Sequence, residues 1–191
     1  MLRLFTALDF TKKISSQLFD IKKEMYEVRW LNPQTYHCTL VYFGEVNVYL
    51  YRQIKQQLKY IHFRPITIRL NKFEVFYSET NKPHVLVALI EPNKALFELQ
   101  GEINATISMF HPNLKLQNRF RPHISIARLL NCNKNEVQDW LNEHENSIDE
   151  SIEIGQFSLF STRPTASGSV FTKMDSYDMT SFYLNGLSDT Y

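Results

Sequence analysis

The sequence holds only two cysteines, Cys38 and Cys132, in no CxxC pair, so neither a disulfide framework nor a structural zinc site is indicated. A reducing, cytoplasmic setting is expected. No stretch of about 18 apolar residues occurs. The opening MLRLFTALDF carries one basic residue and soon meets Asp9, so neither an export signal nor a membrane span is expected. Charge of one sign is also lacking: 21 Lys plus Arg stand against 20 Asp plus Glu. No polybasic field can therefore hold a long nucleic acid by charge alone, and any phosphate site must be local. There is no GxxxxGKS/T run for nucleotide-driven ligation by a P-loop mechanism, and no low-complexity tract or Pro/Gly-rich linker.

What remains is an ordinary globular composition. The 191 residues are 43% hydrophobic and 21% charged, which excludes disordered, collagen-like and coiled-coil chains. The length fits one compact domain or two small repeated lobes. Leu2 to Leu8 reads as a buried strand, followed by a helix with Asp9 or Thr11 at its cap and Ile14, Leu18, Ile21 and Met25 on one stripe. Tyr36 to Phe43 reads as strand. Tyr51, Ile54, Leu58 and Ile61 mark a second helix. Ile66 to Leu70, extended by Phe73 to Tyr77, forms a hairpin with Val85 to Ile90.

The second half repeats this order. Asn93 caps a helix carrying Leu96, Leu99, Ile103, Ile107 and Phe110. A strand follows at His123 to Ala127, then a short helix from Asn133 with Val137, Trp140 and Leu141 inward, Asn133 and Glu136 resembling a capping box. Strands at Ile152 to Phe160 and Ser169 to Met174 close the chain. The fold class is α+β: two pseudo-symmetric lobes whose mixed, mostly antiparallel sheets line a central groove, with helices outside.

Chemistry concentrates in two segments, His37-Cys-Thr-Leu and His123-Ile-Ser-Ile, one in each half. On a strand, alternate residues share a face, so His37 stands with Thr39 and His123 with Ser125. The apolar residues between them can lie under the helices. A polar pair facing a closed core would need partners, so two such strands define a polar site. Across a groove, one neutral imidazole can take a proton from a nucleophile while one charged imidazole gives a proton to a leaving oxygen. That arrangement suits in-line displacement at phosphorus. The hydroxyls can hold non-bridging oxygens, and the chemistry requires no metal and no cofactor. The competing reading is two histidines satisfied by strand neighbours; about 0.15 such flanked motifs are expected by chance.

The sequence resembles the 2H phosphoesterase superfamily, and within it the RNA 2′,3′-cyclic phosphodiesterases of the LigT or ThpR group. The resemblance runs from Arg3-Leu-Phe-Thr-Ala-Leu-Asp9 through Trp30, His37-Cys-Thr-Leu-Val-Tyr-Phe-Gly-Glu-Val46 and Phe120-Arg-Pro-His-Ile-Ser-Ile-Ala-Arg128 to Phe157-Ser-Leu-Phe-Ser161, Gly168 and Val170. It implies that His37 and His123 are an acid-base pair; within the expected hydrolysis we assign His37 as acid and His123 as base. Thr39, Ser125 and Arg128 would hold the phosphate. Strict alternation from His123 puts Arg128 on the wrong face, so a strand end or bulge near Ala127 is required. Ser125 replaces the usual Thr and keeps the hydroxyl, and Cys38 replaces an aliphatic core residue.

Phe5 and Tyr42 are candidates to stack on a base, although aromatics in such strands are more often core. Arg121 is either a substrate contact or a solvated loop charge. His62, His84, His111 and His144 lack a hydroxyl two residues on and read as surface or turn residues. The expected activity is hydrolysis of a 2′,3′-cyclic phosphate at RNA 3′ ends or in small cyclic nucleotides to a 2′-phosphate. The alternatives are a phosphodiesterase or reversible ligase on 2′-5′ linked oligonucleotides, and a non-catalytic RNA- or nucleotide-binding module. A monomer without obligate protein partner or membrane attachment is expected. Substrate choice is assigned to the loops Asn113 to Arg119 and Ser161 to Gly168.

Overall fold

The computed structural model describes residues 1–116, 119–145, 147–165 and 168–178. In chain order the elements are β1 (Leu2–Asp9), α1 (Lys12–Asp20), β2 (Val28–Trp30), β3 (His37–Val46), α2 (Val48–Leu58), β4 (Ile66–Tyr77), β5 (Pro83–Ile90), α3 (Lys94–Phe110), β6 (His123–Leu129), α4 (Lys134–Glu143), β7 (Glu150–Ile154), β8 (Gln156–Thr165) and β9 (Gly168–Asp178). They form two sheets, ordered β3-β1-β8-β9 and β2-β6-β5-β4-β7. Among the described residues the neighbouring strands of both sheets pair antiparallel. Among the described residues no helix is long and apolar enough to cross a membrane.

The sheets do not correspond to the two halves of the sequence. The sheet with β1 and β3 is completed by β8 and β9 from the C-terminal part, and β2 from the N-terminal part joins the sheet with β6. One motif strand lies in each sheet. Asparagine side chains start three of the helices: Asn47 accepts from Leu50 N–H at 2.8 Å, Asn93 from Leu96 N–H at 3.3 Å and Asn133 from Asn135 N–H at 3.0 Å. Such bonds satisfy amide groups that the first helical turn leaves unpaired.

Between helices and sheets lies one continuous core. Leu4 and Leu8 of β1, Ile54 and Leu58 of α2, the α3 stripe Leu96, Leu99, Ile103 and Ile107, and Ile124 and Ile126 of β6 all belong to it. Trp140 of α4, 1% exposed, packs on Trp30 and Phe73 with ring centroids 5.6 and 5.2 Å apart. Its indole N–H donates to the Ile21 carbonyl at 3.2 Å.

Four local expectations are corrected. The first helix stops at Asp20, and Ile21 and Met25 lie beyond it, where the chain turns back through Glu27 at φ 56° into the three-residue strand β2. Met25 is still buried, so the apolar spacing reported burial rather than helix. Thr11 occupies the helix N-cap without a side-chain cap bond, and Asp9 is engaged elsewhere. The expected strand from Ile152 to Phe160 is two strands parted at Gly155: β7 pairs with β4 in one sheet, β8 with β1 in the other. Most of the segment from Ser161 to Gly168, expected as a loop, is the end of the β8–β9 hairpin, with Thr165 opposite Gly168. Residues 117, 118, 166 and 167 of the two expected specificity loops lie outside the described residues.

Candidate active site

His37 and His123 each open a strand, and each is held in the same way. His37 Nδ1 lies 2.7 Å from the Thr35 carbonyl, and His123 Nδ1 lies 2.7 Å from the Arg121 carbonyl. A carbonyl only accepts, so both Nδ1 atoms carry a proton and both rings leave Nε2 for chemistry. The strand starts are neighbours across the sheets: the buried Cys38 thiol sits against the backbone of His123, and burial pushes it up to about 12. Cys38 is thus a packed core residue, away from the polar face.

Strand register places the hydroxyls and the arginine. In β3, Thr39 pairs with Ala7 and Val41 with Thr6, leaving Leu40 as an extra residue. In β6, Ser125 pairs with Val87 and Ala127 with Leu86, leaving Ile126 extra. Both strands therefore bulge three residues after the histidine. Leu40 and Val41 are both buried, as are Ile126 and Ala127, so a one-residue slip returns the next residue to the histidine face. Tyr42 rejoins His37 and Thr39, and Arg128 rejoins His123 and Ser125. The bulge that the resemblance requires is present.

Around His37 the wall is aromatic. Phe5, 3% exposed, has its ring 5.0 Å from that of His37, stacks on Phe160 at 5.4 Å and meets Phe171 edge-on at 5.7 Å. Phe171 also lies 5.0 Å from His37. Phe5 thus braces the imidazole. Tyr42, directly across from Phe5 in the β1–β3 pair, is 36% exposed and presents an aromatic surface to the groove. Asp9 pairs with His37 in register, accepts from Ser158 Oγ at 3.1 Å and forms an ion pair with Lys173.

Beside His123 the neighbours are different. Its ring lies 4.7 Å from Phe76, and Leu89, Val87 and Val85 of β5 stand directly opposite His123, Ser125 and Arg128. These apolar residues form a small cluster of their own with Phe76, a floor alongside the polar row. Arg121 covers Phe76 at 4.6 Å and binds Glu74 at 2.6 Å.

Burial holds both imidazoles below the ordinary histidine value. For His37 desolvation outweighs the Thr35 hydrogen bond, the charge of His123 lowers it further, and Asp9 pulls the other way. For His123 desolvation again dominates, countered by the Arg121 carbonyl and reinforced by the Arg121 cation. The local charges at the two rings differ: at His37 the Asp9 carboxylate opposes the lowering by burial and by His123, whereas at His123 the Arg121 guanidinium adds to the lowering by burial.

Two residues of this face were not assigned to it from the sequence. His84, read as a surface or turn residue, lies on the groove side with Nε2 3.2 Å from Arg128 Nη1. Arg29 of β2 pairs with Arg128 in register. Val28 and Trp30 on either side of it pack on the core, and that apolar-polar-apolar alternation is the one signal that could have placed Arg29 on the groove face. His111 bonds Gln57 at 3.1 Å and His144 stacks on Trp140 at 4.3 Å, away from the motif strands.

Each of the two antiparallel sheets thus places a histidine and a hydroxyl on one face of a strand. The LigT-like phosphoesterase family model matches residues 8–87 and 90–171, and the chain belongs to that family. It is 24% identical over 194 residues to a protein of Aquifex aeolicus named RNA 2′,3′-cyclic phosphodiesterase, covering 97% of this chain and 99% of that one. A protein of the same name from Archaeoglobus fulgidus is 23% identical over 178 residues, covering 89% and 96%. Among solved structures, TT0787 of Thermus thermophilus superposes with a TM-score of 0.74 at 18% identity over 93% of this chain and 97% of that one. LigT of Escherichia coli complexed with 3′-AMP gives 0.73 at 17% identity over 94% and 98%.

Proposed function

We propose that this phosphoesterase opens 2′,3′-cyclic phosphates at RNA 3′ ends or in small nucleotides, leaving a 2′-phosphate and a free 3′ hydroxyl. The observation that carries the reading is the matched pair of Nδ1 bonds to the carbonyls of Thr35 and Arg121, which leaves two Nε2 atoms free on neighbouring strands. His123, the ring beside a cation, takes a proton from water as its oxygen attacks phosphorus. His37, the ring beside a carboxylate, gives a proton to O3′ as the phosphorus–O3′ bond breaks. Product release and proton exchange with solvent restore both rings. Thr39 and Ser125 donate to the non-bridging oxygens, and Arg128 adds positive charge to the same groove. The substrate lies between the lobes of a single domain, each lobe supplying one motif, and the protein works as a monomer.

The product distinguishes this reading directly. Phosphorus NMR of a nucleoside 2′,3′-cyclic phosphate digest should show the 2′-monophosphate alone. A 3′-phosphate product would reverse the leaving oxygen and defeat the assignment of His37 to O3′. Retained binding with no product at all would leave a nucleotide-binding module.

A further inference from the structure

His84 reaches Arg128 because β5 carries an extra residue there. Phe76 of β4 pairs with Val85 and Tyr77 with Pro83, so His84 between them has no partner in the register. Such a bulge re-aims a side chain. His84 turns toward Arg128, the partner of Val85 on β6, and its Nε2 lies 3.2 Å from Arg128 Nη1. A guanidinium only donates, so Nε2 is the acceptor and His84 is a neutral ring with its proton on Nδ1.

The kind of partner sets Arg128 apart. Arg3, Arg69 and Arg121 each rest on a carboxylate, Glu45, Asp149 and Glu74 respectively, which orients the guanidinium and offsets its charge. Among the described residues Arg128 has no such ion pair. A neutral acceptor takes one N–H of the planar fork and leaves the charge whole. That charge has reason to move: Arg128 is half-buried on β6, and its guanidinium is destabilised by burial first and by Arg29, opposite it on β2, second. Without a tether the side chain gains by swinging out to water, and the bond to His84 opposes that swing.

We propose that His84 is a positioning residue for the reaction: a neutral acceptor that fixes the Arg128 guanidinium on the reacting phosphate without quenching its charge. This inference rests on the reading of the histidine pair as the reacting site, with Arg128 at the same phosphate. His123, Ser125 and Arg128 follow one another along β6, and His84 comes in from the neighbouring strand β5. The arginine is therefore steadied from the side, and its other N–H groups remain for phosphoryl oxygens. His84 acts through Arg128 rather than on the substrate. A carboxylate at the same place would orient the guanidinium equally well and spend its charge before the phosphate arrives.

The test measures kcat/KM on a nucleoside 2′,3′-cyclic monophosphate for wild type, H84A, H84Q, H84E, R128A and R128A/H84A, with a melting curve of each. H84A should lose about tenfold, as loss of one hydrogen bond to a charged group requires. H84Q, whose amide oxygen can stand where Nε2 stands, should recover most of that loss. H84E orients but neutralises, and should fall at least as low as H84A. A merely structural role would leave H84Q and H84E alike. In the R128A background H84A should cost less than about twofold, because a residue that acts through Arg128 has nothing left to act on. Full activity in H84A, equal activity in H84Q and H84E, or an H84A loss undiminished in R128A overturns the inference. If no cyclic substrate turns over, the hydrolase reading fails separately. Calorimetric titration with inorganic phosphate then decides: weaker binding to H84A than to wild type, with no such difference in the R128A background, supports the positioning role, and equal binding overturns it.

Discussion

Asp9 faces His37 across the β1–β3 pair, and Arg121 holds His123 through its carbonyl while placing a cation beside it. Desolvation lowers both rings; Asp9 opposes that lowering at His37 and Arg121 adds to it at His123. In a bell-shaped profile of kcat/KM, which reports the free enzyme, the optimum falls on the acid side of ~6.5, the unperturbed imidazole value. D9N removes the influence that favours imidazolium at His37 and should move the optimum further to acid. R121Q removes the cation beside His123 and should move it to alkali. Profiles of the two variants that shift in the same direction would contradict the division of roles, and the limbs should be read as properties of the coupled pair.

Thr39 and Ser125 predict a second outcome. Each hydroxyl shares a face with its histidine, and a hydrogen bond to a charged oxygen is worth ~1.5–3 kcal/mol. T39A and S125A should each lose roughly 10- to 100-fold in kcat/KM with the fold intact, and S125T should stay near wild type. Steady-state rates with a thermal melt of each variant check this. Full activity in both alanine variants would remove the hydroxyls from the site.

The lowered histidines also predict a pH dependence of stability. Between the depressed folded value and ~6.5, the unfolded chain binds more protons than the native one, so stability rises with pH there. The contribution of the pair is fully present above ~6.5 and is lost as pH falls through the folded values. Urea unfolding of wild type and of the H37Q/H123Q double variant should show the variant flatter across this window. Parallel curves would mean that the rings are not desolvated in the native state.

Trp140 predicts the cost of disturbing the frame behind the site. It joins Trp30, next to Arg29, to Phe73 and α4. Truncating so buried an aromatic costs ~3–5 kcal/mol, which corresponds to roughly 10 °C in Tm for a chain of this size. Calorimetry of W140A checks it, and a shift under about 2 °C would contradict the assigned packing.

Local signals were legible where the physics is local. The stripe on α3 and its Asn93 cap, the β4–β5 hairpin and the two motif strands follow from spacing that the structure reproduces. The bulge in β6 was legible because Arg128 had to rejoin the His123 face. Its twin in β3, which turns Tyr42 to the groove, carries no such demand in the sequence. Strand partners were not legible: that β1 takes β8, or that Val28–Trp30 joins β6, is decided by contacts far apart in the chain. For that reason Arg29 and His84, which reach Arg128 only across strands, were invisible. Gly155, at the change of sheet between β7 and β8, was likewise read through as continuous strand.

The central claim is that His37 and His123 together perform the hydrolysis. The most direct measurement is turnover of an RNA oligomer with a 2′,3′-cyclic end, in EDTA, by wild type, H37A and H123A with melting curves as a folding control. The account predicts metal-independent formation of a 2′-phosphate by wild type and a loss of ~10²–10⁴-fold in each variant. Near-wild-type turnover by either folded variant would contradict it.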